Sequence, residues 1–442
     1  MLKNKVVNII GAGLAGCESA MFLACNNVKV NLYEMKKVKK TPAQKSDLFA
    51  ELVCSNSLKS TESLSASGLL KLELKEMGCF LLDIAQKCAV PAGNSLAVDR
   101  DKFSKMITDA IYANKNITVI DKVVTEIDTT VPTIIATGPL CDDELFANLQ
   151  KLIGQDNCYF YDAIAPIVSL DSVDMSRAFW GSRYEKGGKD YLNCWLYYDE
   201  YQNFVKELKE AKTVELHSFE KLKVFEGCMP VEVLAKRGDR SLRFGPMKPV
   251  GLSHQVKEGK PYAMVQLRRE NADGTALNMV GFQTNLLFGE QKRVFSLIPA
   301  LKNAEFLRYG TMHRNSYINA PKCLNEYSQL KDYKNIFIAG QLSGVEGYVE
   351  SIASGLYVAQ NVLRLIENKS LKNVSKNTCL GAIIGYITNP ANEKNFEPMN
   401  ANYGIFVCDK DIPDKRLRKE YFLTRSMEEI KKYMEDWYGK FV

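Results

Sequence analysis

The stretch Val6-Val7-Asn8-Ile9-Ile10-Gly11-Ala12-Gly13-Leu14-Ala15-Gly16 decides the fold of this chain. An apolar run leads into a Gly-x-Gly-x-x-Gly motif, and the next apolar segment, residues 28–33, is followed by Glu34. This pattern predicts a Rossmann unit, in which the first glycine permits a tight turn, the second lets the backbone approach a pyrophosphate, and the third lets helix and strand pack closely. The helix N-terminus attracts phosphates, and Glu34 is placed to accept hydrogen bonds from a ribose. The motif therefore predicts a dinucleotide site without identifying the dinucleotide.

Two later segments repeat the pattern of an apolar strand that ends in a glycine turn. The first is Thr133-Ile134-Ile135-Ala136-Thr137-Gly138, and the second is Asn335-Ile336-Phe337-Ile338-Ala339-Gly340-Gln341, which leads through Gly347 to a helix of small residues. An NAD site requires one such fingerprint, whereas flavoproteins of the glutathione-reductase type carry all three, and the chain resembles that group. We therefore expect the cofactor to be FAD, contacted by Gly138, Gly340, Gln341 and Gly347.

The long interval between the second and third glycine turns predicts an inserted domain. We expect an α/β protein with a glutathione-reductase-type Rossmann FAD-binding domain formed by residues 1–165 and 325–442. A smaller α+β domain is expected at residues 166–324. Within this insert, the sequence pattern predicts strands near 192–197, 221–225, 262–267 and 278–283 and helices near 200–212 and 291–298.

Composition limits the class of protein. With 442 residues, 46% of them apolar and 25% charged, the chain is typical of a globular protein with more than one core. No apolar segment approaches the roughly 18 residues that span a bilayer, and residues 1–5 leave no room for a signal peptide before the first strand. We therefore expect a cytoplasmic protein without membrane contact. The net charge of +6 permits a polyanionic partner but does not require one.

The 12 cysteines are scattered without a C-x-x-C pair, and there are only 3 histidines, so neither a disulfide framework nor a metal site is expected. Two thiols stand in distinctive surroundings. Cys54 ends an apolar stretch that turns polar immediately after it, and Cys228 follows a glycine on a segment broken by Pro230. A loop thiol becomes a nucleophile where a cation or dipole favours the thiolate, although a structural role is the more common one for each.

Several long motifs extend through the chain, at residues 7–16, 49–57, 91–100, 225–230, 243–252, 281–284, 312–315, 340–351 and 398–404. Together they resemble the folate- and FAD-dependent RNA uracil-5-methyltransferases over nearly the whole length. The resemblance implies that a reduced flavin passes a methylene group from 5,10-methylenetetrahydrofolate to C5 of a uridine in RNA and supplies the completing hydride, with NAD(P)H as the reductant.

The same resemblance implies roles for three residues. By motif match, Cys228 is the thiolate that adds to C6 of the uracil and makes C5 nucleophilic. Cys54 matches a second thiol of the motif set, either beside the flavin or as the acceptor of the C5 proton. Tyr348 is expected near the isoalloxazine, where it orients a reacting carbonyl or simply packs.

Further residues that match the family motifs, and basic residues near the end of the chain, are candidates for substrate binding. Cationic side chains suit the glutamate of folate and the phosphates of RNA, and amide side chains suit the edge of a pterin or a uracil. The alternatives are a turn for the two asparagines and a solvated helix face for the last three basic residues. The candidates are Lys248, His313, Arg314, Asn400, Asn402, Lys415, Arg416 and Lys419.

The sequence does not decide which RNA is the target, and it leaves two alternative functions to be considered. Most proteins of this group modify the T-loop uridine of transfer RNA, whereas a branch acts on 23S ribosomal RNA, and this chain has Gln44 and Lys45 where histidine is usual. An S-adenosylmethionine-dependent methyltransferase also has a glycine turn after its first strand, but the two later glycine turns argue against it. A non-catalytic flavin-containing RNA-binding protein would not need both thiols. No feature predicts the oligomeric state.

Overall fold

The computed structural model describes residues 5–41, 43–154, 158–163, 165–185, 188–214, 229–256, 259–435 and 437. The strands are β1 (Val6–Ile10), β2 (Lys29–Glu34), β3 (Ser57–Ser60), β4 (Ala89–Val90), β5 (Ser95–Val98), β6 (Ile117–Asp121), β7 (Thr133–Ile135), β8 (Cys158–Ala163), β9 (Ile167–Ser169), β10 (Ala178–Gly181), β11 (Tyr191–Leu196), β12 (Ala263–Arg269), β13 (Ala276–Met279), β14 (Phe306–Arg308), β15 (Met312–Tyr317) and β16 (Ile336–Ile338). The helices are α1 (Leu14–Cys25), α2 (Ala66–Glu76), α3 (Phe80–Lys87), α4 (Arg100–Ala113), α5 (Asp143–Ile153), α6 (Tyr198–Glu210), α7 (Val231–Lys236), α8 (Ser241–Phe244), α9 (Phe288–Phe295), α10 (Ala320–Cys323), α11 (Tyr348–Ile366), α12 (Cys379–Ile387) and α13 (Lys415–Met434).

Five parallel strands form the first sheet, in the order β16-β7-β1-β2-β6. Ile9 of β1 pairs with Leu32 on one side and Ile134 on the other, and all three side chains are buried. Because parallel strands present their carboxyl ends at one edge, the three glycine turns meet at that edge. The predicted α/β fold of the Rossmann type is confirmed.

Helix α1 packs against α11 and has almost no solvent-facing side. All its residues from Leu14 to Ala24 are buried, which explains why the sequence is small and apolar all round rather than amphipathic. The Ser19 hydroxyl lies 2.8 Å from the carbonyl oxygens of both Ala15 and Gly355, so its proton can serve either helix. This contact joins the N-terminal motif to the helix that follows the third glycine turn.

The second sheet contains six strands in the order β10-β11-β12-β13-β9-β14, and its paired neighbours are antiparallel. Leu192 and Val265 belong to a core shared with residues of α6, α7 and α9 on one face. On the opposite face, Trp195 and Met264 pack against other residues of the insert, whereas Arg268 reaches the first domain and donates from Nε to Oδ1 of Asn56 at 3.0 Å. The α+β character of the insert follows from this arrangement, while its limits at residues 166 and 324 stay a prediction.

Some local predictions within the insert differ from the structure. Helices α6 and α9 begin two and three residues earlier than predicted. The segment predicted as a strand at 278–283 ends its strand at Met279, because Gly281 adopts a φ of +78° and turns the chain. The strand predicted at 221–225 lies outside the described residues.

The part of the chain that the structure describes contains no helix that could cross a membrane. None of its helices combines the length and the apolar character that a bilayer crossing requires.

A buried carboxylate joins three helices of the first domain. Glu73 of α2 accepts the backbone N–H groups of Cys379 at 2.6 Å and Leu380 at 2.9 Å, and it also contacts the hydroxyl of Ser426 on α13. The first two contacts satisfy donors that the N-terminus of α12 leaves unpaired. Burial raises the pKa of Glu73 to about 7, because the charged form loses its hydration.

Replacing Glu73 should therefore change how stability depends on pH. A carboxyl group whose pKa is raised on folding stabilises the fold fully below its unfolded pKa, and this stabilisation is lost as pH rises through about 7. We expect the stability of the unaltered protein to fall, relative to Glu73→Gln, by on the order of 2 kcal/mol between pH 5 and pH 8. Thermal unfolding midpoints across this range measure the difference. Glu76→Gln on the same helix is the control, and parallel pH curves for all three proteins would contradict the prediction.

Candidate active site

A continuous cleft extends along the carboxyl edge of the parallel sheet. Its first lobe surrounds Glu34 at the end of β2, and its second lobe reaches Gly340 and Tyr348 at the start of α11. The lobes enclose about 580 and 650 Å³, open solvent included. Both lobes are lined by Gly13, Gln44, Glu51 and Thr137. An elongated cleft at this edge suits a two-part ligand such as a dinucleotide.

The glycine motif shapes the junction of the two lobes. A Cβ on Gly16 would stand 1.8 Å from the carbonyl oxygen of Gly11, so protein packing alone requires glycine there. A Cβ on Gly13 would meet only the carbonyl oxygen of Ala136, at 4.0 Å. The missing side chain at Gly13 therefore leaves room for a ligand. Since Gly13 also caps the N-terminus of α1, where free N–H groups favour anions, these residues fit a pyrophosphate.

Glu34 is held in a fixed orientation inside the first lobe. One carboxylate oxygen accepts the N–H of Ala12 at 2.7 Å, and the other accepts the N–H groups of Met35 at 2.8 Å and Lys36 at 3.0 Å. The side chain is buried, and the oxygen that accepts only the N–H of Ala12 retains capacity for one further donor. This geometry supports the predicted contact with a ribose, which stays a prediction.

The second and third glycine turns form the opposite end of the cleft. Gly138, Gly340 and Gln341 line the second lobe, and Gln341 donates from Nε2 to Oε2 of Glu346 at 2.6 Å. Gly347 caps α11 and is not among the residues that line either lobe. Three of the four residues predicted at this end therefore reach the cleft, and their contact with FAD stays a prediction.

The structure brings Tyr348 to the segment that carries Cys54, which we call the Cys54 segment (residues 52–56). The hydroxyl oxygen of Tyr348 accepts the N–H groups of Cys54 at 2.8 Å and Ser55 at 3.2 Å. Burial and the neighbouring Cys54 raise the pKa of Tyr348 above its ordinary value, so the hydroxyl stays protonated at neutral pH. Because the oxygen accepts both bonds, its proton remains available to an acceptor in the second lobe.

Among the lining residues that the sequence did not assign to a site, Glu51 and Gln44 reach both lobes. Glu51 lines both lobes, its Oε2 pairs with Nζ of Lys36 at 3.0 Å, and its Oε1 accepts the N–H of Lys45 at 2.9 Å. Gln44, which the sequence marks only as a departure from the family pattern, also lines both lobes. The available signal for Glu51 was its place in the motif at 49–57.

Asn402 has the turn-shaping role that the sequence left as an alternative. Its Oδ1 accepts the N–H of Gly404 at 2.9 Å, and its Nδ2 donates to the carbonyl oxygen of Asn400 at 2.9 Å. The preceding Met399 exchanges backbone hydrogen bonds with the third glycine turn, since it donates to Gly344 at 2.9 Å and accepts from Glu346 at 2.8 Å. The loop thus lies beside the second lobe, and a substrate contact by Asn400 or Asn402 stays a prediction.

The remaining predicted residues are either not among those that line the two lobes or lie outside the described residues. Cys228 is outside the described residues. His313 and Arg314 belong to β15, where their backbones pair with residues 162 and 161 of β8. Lys248 is exposed on the loop after α8.

The basic residues near the end of the chain occupy an exposed helix start. Lys415, Arg416 and Lys419 lie in the first turns of α13, and Arg416 pairs with Glu420 at 3.0 Å. The Nζ of Lys419 lies 5.7 Å from the ring centre of Tyr403, which connects this helix to the loop beside the second lobe. A role in RNA binding stays a prediction.

The described residues contain no group of three or more His, Cys, Asp or Glu side chains that could hold a metal ion.

The chain is similar over most of its length to a known protein family and to individual members of a methyltransferase family. The family model described as glucose inhibited division protein A matches residues 6–370. The chain is 49% identical over 433 residues to the methylenetetrahydrofolate–tRNA-(uracil-5-)-methyltransferase TrmFO of Bacillus subtilis, covering 97% of this chain and 98% of that protein. It is also 49% identical over 431 residues to the TrmFO of Fusobacterium nucleatum, with coverage of 97% and 98%.

Among solved structures, the chain is similar to Aquifex aeolicus GidA. The form II crystal structure aligns with a TM-score of 0.69 and 13% sequence identity, over 99% of this chain and 77% of that one. The form I structure aligns with a TM-score of 0.68 over 98% and 79%. At this identity the likeness establishes the fold alone.

Gly13→Ala should separate cofactor binding from folding. The new Cβ meets no protein atom closer than 4.0 Å, so we expect a folded protein, whereas the predicted FAD pyrophosphate loses its close approach. A steric conflict of about 2 kcal/mol corresponds to roughly 30-fold weaker binding. Flavin absorbance after purification and titration of the stripped protein with FAD measure this effect. Gly289→Ala, also in open space, is the control. Equal FAD affinity in both variants would contradict the proposed position of the pyrophosphate.

Proposed function

Because the chain belongs to the family of methylenetetrahydrofolate–tRNA-(uracil-5-)-methyltransferases TrmFO, within the wider family described as glucose inhibited division protein A, we propose that it methylates C5 of a uridine in RNA. The carbon donor is 5,10-methylenetetrahydrofolate, the bound cofactor is FAD, and NAD(P)H supplies the electrons. Transfer RNA is the favoured substrate, since the relatives are named for it. The observation that carries the proposal is that a dinucleotide cleft ends at a thiol-bearing segment, through the contact of Tyr348 with Cys54.

The residues of the cleft have the chemistry that FAD requires. Glu34 would hold the ribose, and the N-terminus of α1 at Gly13 would hold the pyrophosphate. Gly340 and Tyr348 would flank the flavin end of the second lobe. When bound, FAD would supply the one-carbon transfer and the hydride.

The protein's own residues perform the activation of the uracil. The Cys228 thiolate forms a bond to C6, and the electrons of the C5–C6 double bond shift toward O4, which makes C5 nucleophilic. After C5 has gained the one-carbon unit, its remaining hydrogen leaves as a proton that Cys54 accepts. The electrons of that C–H bond form a double bond to the one-carbon unit as the bond between this unit and its carrier breaks. A hydride, which the reduced cofactor would supply, completes the methyl group while the C5–C6 double bond re-forms, the S–C6 bond breaks and the Cys228 thiolate is released.

The described residues that follow Cys228 in the sequence are firmly attached to the insert. Met229 is buried, and the N–H of Val231 donates to the carbonyl oxygen of Gln283 at 2.7 Å. Glu232 accepts the N–H of Asn285 at 2.8 Å, so the start of α7 is attached to the loop after β13. Residues 229–232 are therefore held in place, which supports a fixed attachment point one residue after Cys228.

An exposed surface on the insert suits RNA. Phe244 at the end of α8 is 67% exposed and Val250 is 48% exposed, and Lys248 is exposed between them. The Arg243 guanidinium lies 5.5 Å from the Phe244 ring centre and 4.5 Å from that of Tyr262. Aromatic and guanidinium planes stack on unpaired bases, and lysine contacts phosphates. This motif, which the resemblance includes, therefore supports contact with RNA.

Methyl transfer by the purified protein tests the proposed activity. With a tRNA transcript, labelled 5,10-methylenetetrahydrofolate and NADPH, we expect labelled 5-methyluridine in the T-loop. Cys228→Ala should abolish transfer while retaining the flavin spectrum, because the covalent step is lost and the cofactor cleft is untouched. Cys25→Ala, which alters an exposed thiol, should retain activity.

The other outcomes each decide against a part of the proposal. Labelling of a 23S ribosomal RNA fragment and not of tRNA would show that the substrate is ribosomal RNA. Methyl transfer from S-adenosylmethionine in the absence of the folate would show that S-adenosylmethionine is the carbon donor. Full activity of Cys228→Ala would exclude the thiolate mechanism, and binding of RNA and flavin without transfer would leave a non-catalytic protein.

Substitutions at the exposed motif test the RNA surface. We expect Phe244→Ala and Lys248→Gln each to weaken RNA binding by about 1 kcal/mol, roughly fivefold. The lysine change should also reduce the salt dependence of binding, because one phosphate contact is lost. Fluorescence anisotropy with a labelled T-arm RNA at several salt concentrations measures both effects. Lys105→Gln, on the exposed face of α4, is the control, and equal affinities would place the RNA elsewhere.

A further inference from the structure

Three arginine side chains from separate elements converge on the Cys54 segment. Arg100, the first residue of α4, donates from Nη1 to the carbonyl oxygen of Leu52 at 2.6 Å and from Nη2 to that of Cys54 at 3.4 Å. Arg308 of β14 donates from Nη2 to the carbonyl oxygen of Val53 at 3.0 Å. Three consecutive carbonyl groups therefore have arginine donors.

The third arginine holds the second half of the segment. Arg268 of β12 donates from Nη2 to Oγ of Ser55 at 2.9 Å and from Nε to Oδ1 of Asn56 at 3.0 Å. Asn56 donates in turn to the carbonyl oxygens of Val98 at 3.1 Å and Arg269 at 3.0 Å. Each of the five residues in the segment thus has a side-chain contact that limits its movement.

These contacts replace regular secondary structure. The Cys54 segment belongs to no helix or strand, so its backbone groups need partners from elsewhere when they are buried. Arginine supplies several donors in a rigid planar fork, which fixes the direction as well as the distance of an acceptor. The Tyr348 hydroxyl accepts the N–H groups of Cys54 and Ser55 from the other side.

The cluster carries more positive charge than its acidic partner offsets. Within the described part of the chain, Glu270 is the carboxylate that forms an ion pair with it, through Arg100. Arg268 and Glu270 are each 7% exposed, and Arg308 is half-buried. Burial, and then the nearby Arg100, lowers the pKa of Arg308. Gathering buried like charges is unfavourable for stability, so the arrangement needs a reason other than stability.

The three arginines come from both domains. Arg100 belongs to the first domain, whereas Arg268 lies on the central strand β12 of the inserted sheet and Arg308 on its edge strand β14. The inserted domain also carries the chain that leads to Cys228. Any shift of that domain against the first one therefore acts directly on the Cys54 segment.

We propose that Arg100, Arg268 and Arg308 are positioning residues that hold the Cys54 thiol beside the cofactor cleft and make its placement depend on the seating of the inserted domain. This inference rests on the proposed function, in which Cys54 accepts the C5 proton. Proton transfer requires the two groups to be within hydrogen-bond reach. A misplacement near 1 Å can lower the rate by about 100-fold.

Substitutions of Arg308 test this proposal in the full-length holoenzyme. We expect Arg308→Gln to lower kcat for methyl transfer by about 10- to 100-fold. The KM values for RNA and for the folate should change little, and so should the amount of flavin bound. Arg308→Lys should recover part of the rate, because the charge remains and the planar fork is lost. Arg293→Gln, which alters an exposed arginine on α9 paired with Glu290, should leave kcat unchanged.

Alkylation of thiols gives a readout that does not depend on turnover. Mass spectrometry of individual peptides follows the rate at which iodoacetamide alkylates Cys54. We expect this rate to rise or fall by about 10-fold in Arg308→Gln and in Arg268→Gln, relative to the unaltered protein. The exposed Cys25 and Cys408 serve as internal references and should keep their rates. A change confined to Cys54 supports the proposal.

Several results would overturn it. Unchanged kcat and unchanged Cys54 alkylation in Arg308→Gln and Arg268→Gln would show that the arginines do not position the thiol. A higher KM with unchanged kcat would make Arg308 a substrate-binding residue instead. Full activity of Cys54→Ala would refute the proposed role of Cys54 separately, and the alkylation rates would then decide whether the arginines hold the segment.

Discussion

The contact between Gly16 and the carbonyl oxygen of Gly11 is the constraint on which the cofactor cleft depends. Helix α1 begins where β1 ends only because no side chain stands at residue 16, where a Cβ would lie 1.8 Å from that oxygen. The helix N-terminus is therefore directed at the edge where the parallel strands end. Burial of α1 against α11, with Ser19 between them, then brings the third glycine turn to the same edge.

The inserted sheet contributes side chains that hold the Cys54 segment beside the cleft. The sheet packs helices on one face, and the opposite face, which the two-residue period of a strand separates from the first, carries both the apolar Trp195 and Met264 and the polar Arg268. Arg268 and Arg308 extend from this sheet to the Cys54 segment, which the Tyr348 hydroxyl contacts from the cofactor side. The Cys54 segment is thus held by contacts from both sides, and neither side supplies all of them.

Much of the fold followed from the sequence, because its signals are local. The three glycine turns predicted the parallel sheet and the cofactor edge, and the family resemblance carried by the long motifs is confirmed. Less local features were predicted poorly. The strand expected through residue 283 ends at Met279, since the positive φ of Gly281 outweighs the apolar pattern around it. Asn402 could be a ligand or a turn residue by pattern, and only its bond to Gly404 assigns the turn.

The sequence by itself determined the Rossmann unit and the chemical types available at the site, because a glycine spacing and an apolar period act over a few neighbouring residues. Only the tertiary structure decided which of those residues meet. Tyr348 and Cys54 are 294 positions apart, and Arg268 is 213 positions from Ser55. No local pattern encodes such a contact, since it arises from the packing of two domains. The arginines around Cys54 therefore became visible only when the chain was folded.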